Sequence, residues 1–79
     1  MNRIIKKNIS VSIVIPMRNS SSTILHTLEA IRVQTYPINE TIIVDNASRD
    51  DSVLRVKKYI ANHKEMKIKI LENKKDLWI

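Results

Sequence analysis

Short apolar runs alternate with segments of helical periodicity along this chain, and this alternation constrains the fold more than any other feature. The first run, residues 11–15, consists mainly of β-branched residues and is closed by Pro16, which cannot continue a central strand. Residues 40–44 form a second run, and residues 66–70 alternate apolar side chains with lysines. The sequence therefore predicts three strands, of which the third is half-buried.

The segment between the first two runs has the apolar spacing of an amphipathic helix. Apolar side chains recur at positions 24, 25, 28 and 31, and a serine among residues 20–22 is the expected cap. The helix is expected to end near Gln34, because Pro37 disfavours helical geometry at Tyr36.

A second helix is predicted between the second and third runs. Ser48 and Asp51 stand at capping-box spacing, so the helix is expected to begin near Ser48. It runs to about His63, and its buried stripe is formed by Val53, Val56 and Ile60.

The resulting order, β-α-β-α-β, indicates an α/β protein with two βαβ units and a parallel three-stranded sheet. Right-handed crossovers in one direction place both helices on one face of this sheet. The first two strands are apolar on nearly every residue, which is typical of strands covered on both faces. Since nothing in the chain covers the second face, residues 1–79 are predicted to be a single incomplete domain.

Composition excludes several classes of function. The net charge is +6, but the basic residues are scattered and only three aromatic residues are present, so no nucleic-acid partner is expected. The chain has no cysteine and only two, distant histidines, which argues against a transition-metal site. Residues 1–17 imitate a signal peptide, yet they lack an A-x-A-like site and contain a predicted strand, so a cytoplasmic location is expected.

Polar residues follow the first two predicted strands, at the edge where open parallel sheets bind ligands. The loops read "PMRNSSS" and "DNASRD", and a chain without glycine has neither G-x-G-x-x-G nor a P-loop. Asp45 can accept hydrogen bonds from ribose hydroxyls or a base N–H, and Asn46 offers both a donor and an acceptor. Alternatively, these two residues form only an Asx-turn before the helix, and the spacing alone favours neither interpretation.

The stretch "VSIVIPMRNSSSTILHTLEAIRVQTYPINETIIVDNASRDDS", residues 11–52, resembles the start of family 2 glycosyltransferases, which are nucleotide-diphospho-sugar transferases of the GT-A fold. The V-S-I-V-I-P strand, the loop asparagine, Q-T-Y-P and V-D-N-x-S-x-D fall in register without gaps. The resemblance implies the Rossmann-like first half of that fold, the nucleotide-binding N-terminal part of the domain. It implies a nucleotide diphospho-sugar, most simply a UDP-sugar, as the small-molecule partner.

The resemblance also implies a set of nucleotide-binding residues. Asp45 and Asn46 would contact the nucleoside, while Pro16 and Asn19 would shape the opposite wall. Arg18 replaces the family's usual tyrosine, and it could stack on a base or pair with a diphosphate. Two further motif residues, Ser48 and Asp50, are interpreted as a helix cap and a first-turn acid.

Other parts of the family pattern do not occur in this sequence. No D-x-D metal motif and no catalytic base are found, so no catalytic residue, metal ligand or cofactor is predicted for this chain. A divalent metal, Mg²⁺ or Mn²⁺, and any membrane association are expected only in a full-length relative. The chain by itself is expected to be inactive. The alternative hypothesis is a non-catalytic remnant or a βαβ interaction module that docks on a partner chain through its uncovered sheet face.

Overall fold

A computed structural model describes residues 11–34 and 38–74, and these form the predicted alternation of strands and helices. The elements are β1 (Ser12–Met17), α1 (Ile24–Val33), β2 (Glu40–Asn46), α2 (Ser52–Asn62) and β3 (Ile68–Asn73). The β-α-β-α-β prediction is confirmed, as are the ends of both helices, with Gln34 and His63 as the C-cap residues. Tyr36 and Pro37, on which the predicted end of the first helix rests, lie outside the described residues.

The three strands form one parallel sheet in the order β1-β2-β3, so β2 is central. Ile43 of β2 lies opposite Ile15 of β1 and Ile70 of β3. Two residues further on, Asp45 lies between Met17 and Glu72. The carboxyl ends of all three strands therefore lie side by side at one edge of the sheet.

The prediction that the first strand ends before Pro16 is wrong, because β1 continues to Met17. In the described part of the chain β1 pairs only with β2, and this edge position explains why proline is tolerated. The Val11 carbonyl accepts a hydrogen bond from the Asn39 N–H, so the odd-numbered residues of β1 direct their backbone groups toward β2. Pro16 faces the other way, where no ladder hydrogen bond needs its missing N–H.

The predicted starts of both helices also need correction. Thr23 occupies the N-cap position of α1 without a side-chain cap, and Ser20 contributes only its carbonyl, which accepts from the Thr23 and Ile24 N–H groups. α2 begins at Ser52 rather than near Ser48, and Asp51 at its N-cap position likewise makes no side-chain cap. α2 begins later in the chain than predicted because β2 continues two residues beyond Val44 and a loop follows it.

Both helices pack on the same face of the sheet and contact each other. The core between them and the sheet consists of seven buried side chains: Met17, Ile24, Leu28, Ile43, Val56, Tyr59 and Ile68. Val56 of the predicted stripe is fully buried, whereas Val53 and Ile60 only pack against the core. Tyr59 was not in the predicted stripe, and it is buried because its hydroxyl finds a partner in Glu29.

The opposite face of the sheet is apolar but is not covered by any described residue. Val14 of β1 is 60% exposed and Leu71 of β3 is 54% exposed, while Ile42 and Val44 of β2 are half-buried. Sheets of βαβ units normally carry helices on both faces. The apolar second face therefore explains why β1 and β2 lack the polar alternation of a one-sided sheet.

Candidate functional site

A cleft of about 580 Å³ opens at the carboxyl ends of the strands, within the size range of small-molecule sites. Its lining comes from every segment that reaches this edge. The loop after β1 contributes Arg18, the end of β2 contributes Asp45, and the loop after β2 contributes residues 47–50. Val53 of α2 and residues 72–74 at the end of β3 complete the wall.

Asp45 is the most enclosed charged residue of this cleft, with 3% of its surface exposed. Its Oδ2 accepts a hydrogen bond from the Ser48 N–H at 3.2 Å, and its Oδ1 accepts one from the Ser48 hydroxyl. The carboxylate thus takes part in a local turn and also lines the cleft. The turn and the ligand-site interpretations of Asp45 are therefore compatible with each other.

Ser48 accordingly has a different role from the helix cap that its sequence position suggests. Its hydroxyl donates to Asp45 and accepts a hydrogen bond from the Asn19 N–H at 2.8 Å. Ala47, between β2 and Ser48, has a left-handed backbone with φ of 57°, which turns the chain back toward the strand end.

Asn19 joins the loop after β1 to the loop after β2. Its backbone is left-handed, with φ of 48°, a conformation that asparagine tolerates better than most residues. Its Oδ1 accepts from the Arg49 N–H at 2.7 Å and from the Asp50 N–H at 3.4 Å. Asn19 is exposed and is not part of the cleft lining, and it holds the opposite loop by accepting hydrogen bonds from the backbone of that loop.

Asp50 and Ser52 make a second connection between the same two loops. The Ser20 N–H donates to Ser52 Oγ at 2.7 Å, and the Ser21 N–H donates to Asp50 Oδ2 at 3.1 Å. The other oxygen of Asp50 accepts from the Ser52 hydroxyl and from the Ser52 N–H at 2.9 Å. The Ser52 hydroxyl is the main reason why the pKa of Asp50 is lowered to about 2.

Asp50 is thus not the first-turn acid of α2, which begins two residues later. Together these contacts define an interloop network, in which residues 19–21 of the first loop bond to residues 48–52 of the second. The partners are 29 to 32 residues apart in the chain. The cleft wall is therefore built by two loops that are tied together.

The other predicted site residues occupy different positions around this edge. Arg18 is exposed and lines the cleft. Asn46 is fully buried as the last residue of β2, opposite Asn73 of β3, and does not line the cleft. Pro16 lies in β1 opposite Val44 and is also outside the lining.

Sequence reasoning missed the contribution of β3 to this site. Glu72, Asn73 and Lys74 line the cleft because β3 runs to Asn73. The pKa of Glu72 is lowered, chiefly by its hydrogen bond from Lys57, whose Nζ lies 3.0 Å from Glu72 Oε2. The signal was present in the polar residues that follow Leu71, since parallel strands end at a common edge.

Among residues 11–34 and 38–74, no group of three or more acidic, histidine or cysteine side chains could hold a metal ion. In the same described segments, no helix has both the length and the apolar character needed to cross a membrane.

The parallel β-α-β-α-β sheet with a polar cleft at its strand ends is the Rossmann-like first half of a GT-A fold. The model of glycosyl transferase family 2 matches residues 12–78, which includes β3 and extends beyond the motifs in residues 11–52. The chain belongs to this family. No curated protein and no solved structure showed a significant similarity to the chain.

Proposed function

We propose that the chain binds the nucleoside end of a nucleotide diphospho-sugar, most simply a UDP-sugar, in the cleft at the strand ends. The observation that carries the proposal is the position of Asp45, a nearly buried carboxylate at the end of the central strand that lines the cleft. Ligands of open parallel sheets sit at this edge. Membership of glycosyl transferase family 2 supports a sugar nucleotide as the class of ligand.

In this proposal Asp45 is the acceptor for the nucleoside. A carboxylate has about four lone-pair positions, and Ser48 occupies two of them. The remaining positions accept hydrogen bonds from ribose hydroxyls or from a base N–H. Because the residue is enclosed, such a charge-assisted hydrogen bond is less weakened by water than one at the surface.

The cleft is lined by three carboxylates and by three cationic side chains, and the cations are the groups that would meet the diphosphate of the donor. Arg18, Arg49 and Lys74 all line it, from three different segments. In the proposed complex, the Arg18 guanidinium stacks on the base or pairs with the diphosphate. Asn46 and Pro16 do not line the cleft, so they contribute by shaping the strand ends around Asp45.

The reaction served by such a site is transfer of the sugar to an acceptor hydroxyl with inversion. The bond from the anomeric carbon to the diphosphate breaks as a bond to the acceptor oxygen forms, and a general base takes the hydroxyl proton. We assign no described residue to the role of that base, and no step to a metal. The 79-residue chain is therefore proposed to bind the donor without transferring its sugar.

Titration of UDP into the wild-type chain and the Asp45→Ala variant tests the binding proposal. Loss of a charge-assisted hydrogen bond should reduce the binding free energy by about 1.5–3 kcal/mol, a roughly tenfold or greater loss of affinity. Asp51→Ala is the matched control, because Asp51 is an exposed carboxylate paired with Arg55 outside the cleft. Equal affinities of wild type and Asp45→Ala, with only a lower melting temperature for the variant, would leave Asp45 as a turn residue and refute the site.

A second candidate function is docking of a partner chain on the uncovered sheet face. The exposure of Val14 and Leu71, both more than half exposed, favours it. Large exposed apolar patches mark interfaces more often than free surface. Binding of a hydrophobic dye that Val14→Thr and Leu71→Thr together abolish would support this function, whereas a monomer that binds no dye would contradict it.

A further inference from the structure

Ser48 connects the proposed ligand-binding carboxylate to the neighbouring loop through a single hydroxyl group. A serine hydroxyl has one hydrogen to donate, and here it is directed to Asp45 Oδ1. One lone pair of the same oxygen accepts the Asn19 N–H at 2.8 Å. The Asn19 N–H therefore determines the direction in which the Ser48 hydrogen points.

Asp45 receives both of its described hydrogen bonds from Ser48, one from the hydroxyl and one from the N–H at 3.2 Å. Two donors on the two oxygens hold the plane of the carboxylate and leave its other lone pairs available to a ligand. Without them, the side chain would have to be ordered when a ligand binds, and that ordering would reduce the affinity.

Asn19 holds Ser48 in turn, although Asn19 itself does not line the cleft. Its left-handed backbone, with φ of 48°, aims the N–H at Ser48, and its Oδ1 accepts the Arg49 N–H that follows. Asparagine combines a tolerance for this backbone with a side-chain acceptor. Glycine tolerates this backbone but has no side-chain acceptor, whereas aspartate has both properties.

The geometry points to Asn19 and Ser48 as positioning residues that orient the Asp45 carboxylate for the nucleoside, rather than as ligands of the nucleotide. This inference rests on the proposed binding function and gives each of three residues a role in it. Asp45 contacts the ligand, Ser48 orients Asp45, and Asn19 orients Ser48. Asn19 thereby affects affinity without touching the nucleoside.

Titrations of uridine and UDP into variants of the 79-residue chain test the role of Ser48. Ser48→Ala should reduce affinity for both ligands by severalfold, because the Asp45 carboxylate would then have to be ordered when the ligand binds. Ser48→Thr keeps the hydroxyl and should remain within about twofold of wild type. Ser22→Ala is the matched control, because Ser22 is exposed and has no hydrogen-bond partner among the described residues. Unchanged affinity of Ser48→Ala, measured well below its melting temperature, would overturn the inference.

Two variants of Asn19 separate positioning from direct contact. Asn19→Gly allows the left-handed backbone but removes Oδ1, and it should lower affinity for uridine and UDP alike by severalfold. Asn19→Asp keeps the acceptor oxygen and should bind UDP nearly as wild type does. If Asn19 instead donated its amide N–H to a phosphate, the new negative charge of Asn19→Asp would abolish UDP binding and spare uridine, which would overturn the inference.

The outcomes also distinguish this inference from the proposed function. A wild-type chain that binds neither uridine nor UDP would refute both. Binding that is lost in Asp45→Ala but unaffected in Ser48→Ala and Asn19→Gly would refute the inference and leave the proposed function intact. Melting curves of each variant without ligand identify any that fail to fold, and Ser48→Thr and Asn19→Asp then provide the comparison, since both keep the hydrogen bonds.

Discussion

The interloop network and a second polar network both connect the part of the chain that contains β1 and α1 to the part that contains β2 and α2. They use different kinds of donor. In the interloop network, side-chain oxygens of Asn19, Ser48, Asp50 and Ser52 accept mainly from backbone N–H groups. The second, here called the helix–helix network, consists of Glu29 and Arg32 of α1, Tyr59 of α2 and His63. It is made largely of side-chain pairs.

The partners in the helix–helix network lie near the surface. The Tyr59 hydroxyl donates to Glu29 Oε2 at 2.7 Å, and Arg32 pairs with Glu29 at 2.8 Å through side chains that are 41% and 45% exposed. The His63 ring stacks on Tyr59 with centroids 4.0 Å apart. Exposed ion pairs of this kind contribute little to stability, because water competes for both partners.

The difference follows from the backbone that each network serves. Helical backbone groups already bond to one another, so the helix–helix network only joins two elements that exist without it. Loop N–H groups have no such partners, and buried ones must find a side chain or water. The interloop network therefore determines the conformation of the loops that form the cleft, whereas the helix–helix network adds to packing.

The largest effect is expected from Ser52, the fully buried member of the interloop network. Ser52→Ala removes the acceptor of the Ser20 N–H and a donor to Asp50, so the free energy of unfolding should fall by about 2 kcal/mol. Chemical denaturation followed by circular dichroism measures it. Ser22→Ala should leave the free energy of unfolding unchanged. If Ser52→Ala also left it unchanged, the proposed difference between the two networks would be wrong.

A smaller effect is expected from the buried end of the helix–helix network. Tyr59→Phe keeps the ring in the core and removes only the hydroxyl that donates to Glu29. The free energy of unfolding should fall by about 1 kcal/mol, the usual net value of one hydrogen bond. A loss as large as that of Ser52→Ala would show that both networks support the fold equally.

The smallest expected effects are on the stability of the fold at acid pH, where the two networks should respond differently to salt. The pKa of Glu29 is lowered to about 2, first by its hydrogen bond from Arg32 and then by that from Tyr59. The pKa of Asp50 is lowered to about 2, first by the Ser52 hydroxyl. A carboxyl group whose pKa is lowered by folding stabilises the fold when the pH is above its ordinary pKa, which is 4.5 for Glu29 and 3.8 for Asp50. This contribution is lost as the pH falls toward about 2.

Acid titrations of wild type, Glu29→Gln and Asp50→Asn measure these contributions. Each variant should lose stability less steeply than wild type between pH 4.5 and about 2. In about 1 M salt, where charges are screened beyond about 3 Å, the Glu29→Gln difference should shrink. The Asp50→Asn difference should persist, because Ser52 and Ser21 are neutral donors. If salt reduced the Glu29→Gln and Asp50→Asn differences equally, the proposed distinction between the two networks would be wrong.

The element order and the helix C-termini were predictable because their signals are local. Apolar periodicity identified α1, β2, α2 and β3, and the step to an extended conformation at Gln34 agrees with the expected end before Pro37. The sequence also identified the strand end that carries Asp45, since the apolar run of β2 stops there. Membership of glycosyl transferase family 2 was likewise recognisable from short motifs, and the family match extends it to residue 78.

The errors share one physical cause, which is that the role of a residue depends on the neighbours that the fold brings to it. Ser48 at capping-box spacing could serve α2 or Asp45, and only the left-handed turn at Ala47 brings it to Asp45. Proline ends a strand that has neighbours on both sides, but within residues 11–34 and 38–74 β1 pairs with β2 alone. Neither choice is visible in a local window of sequence.

The sequence by itself determined the alternation of elements, the single helix-covered face, and the placement of Asp45 at a strand end, because these depend on periodicity and on the point at which an apolar run stops. The tertiary structure alone decided which groups surround that carboxylate. Asn19 and Ser48 are 29 residues apart, and Glu72 is brought opposite Asp45 by strand register. Such contacts depend on distances in space, which are established only when the sheet pairs and brings its loops together.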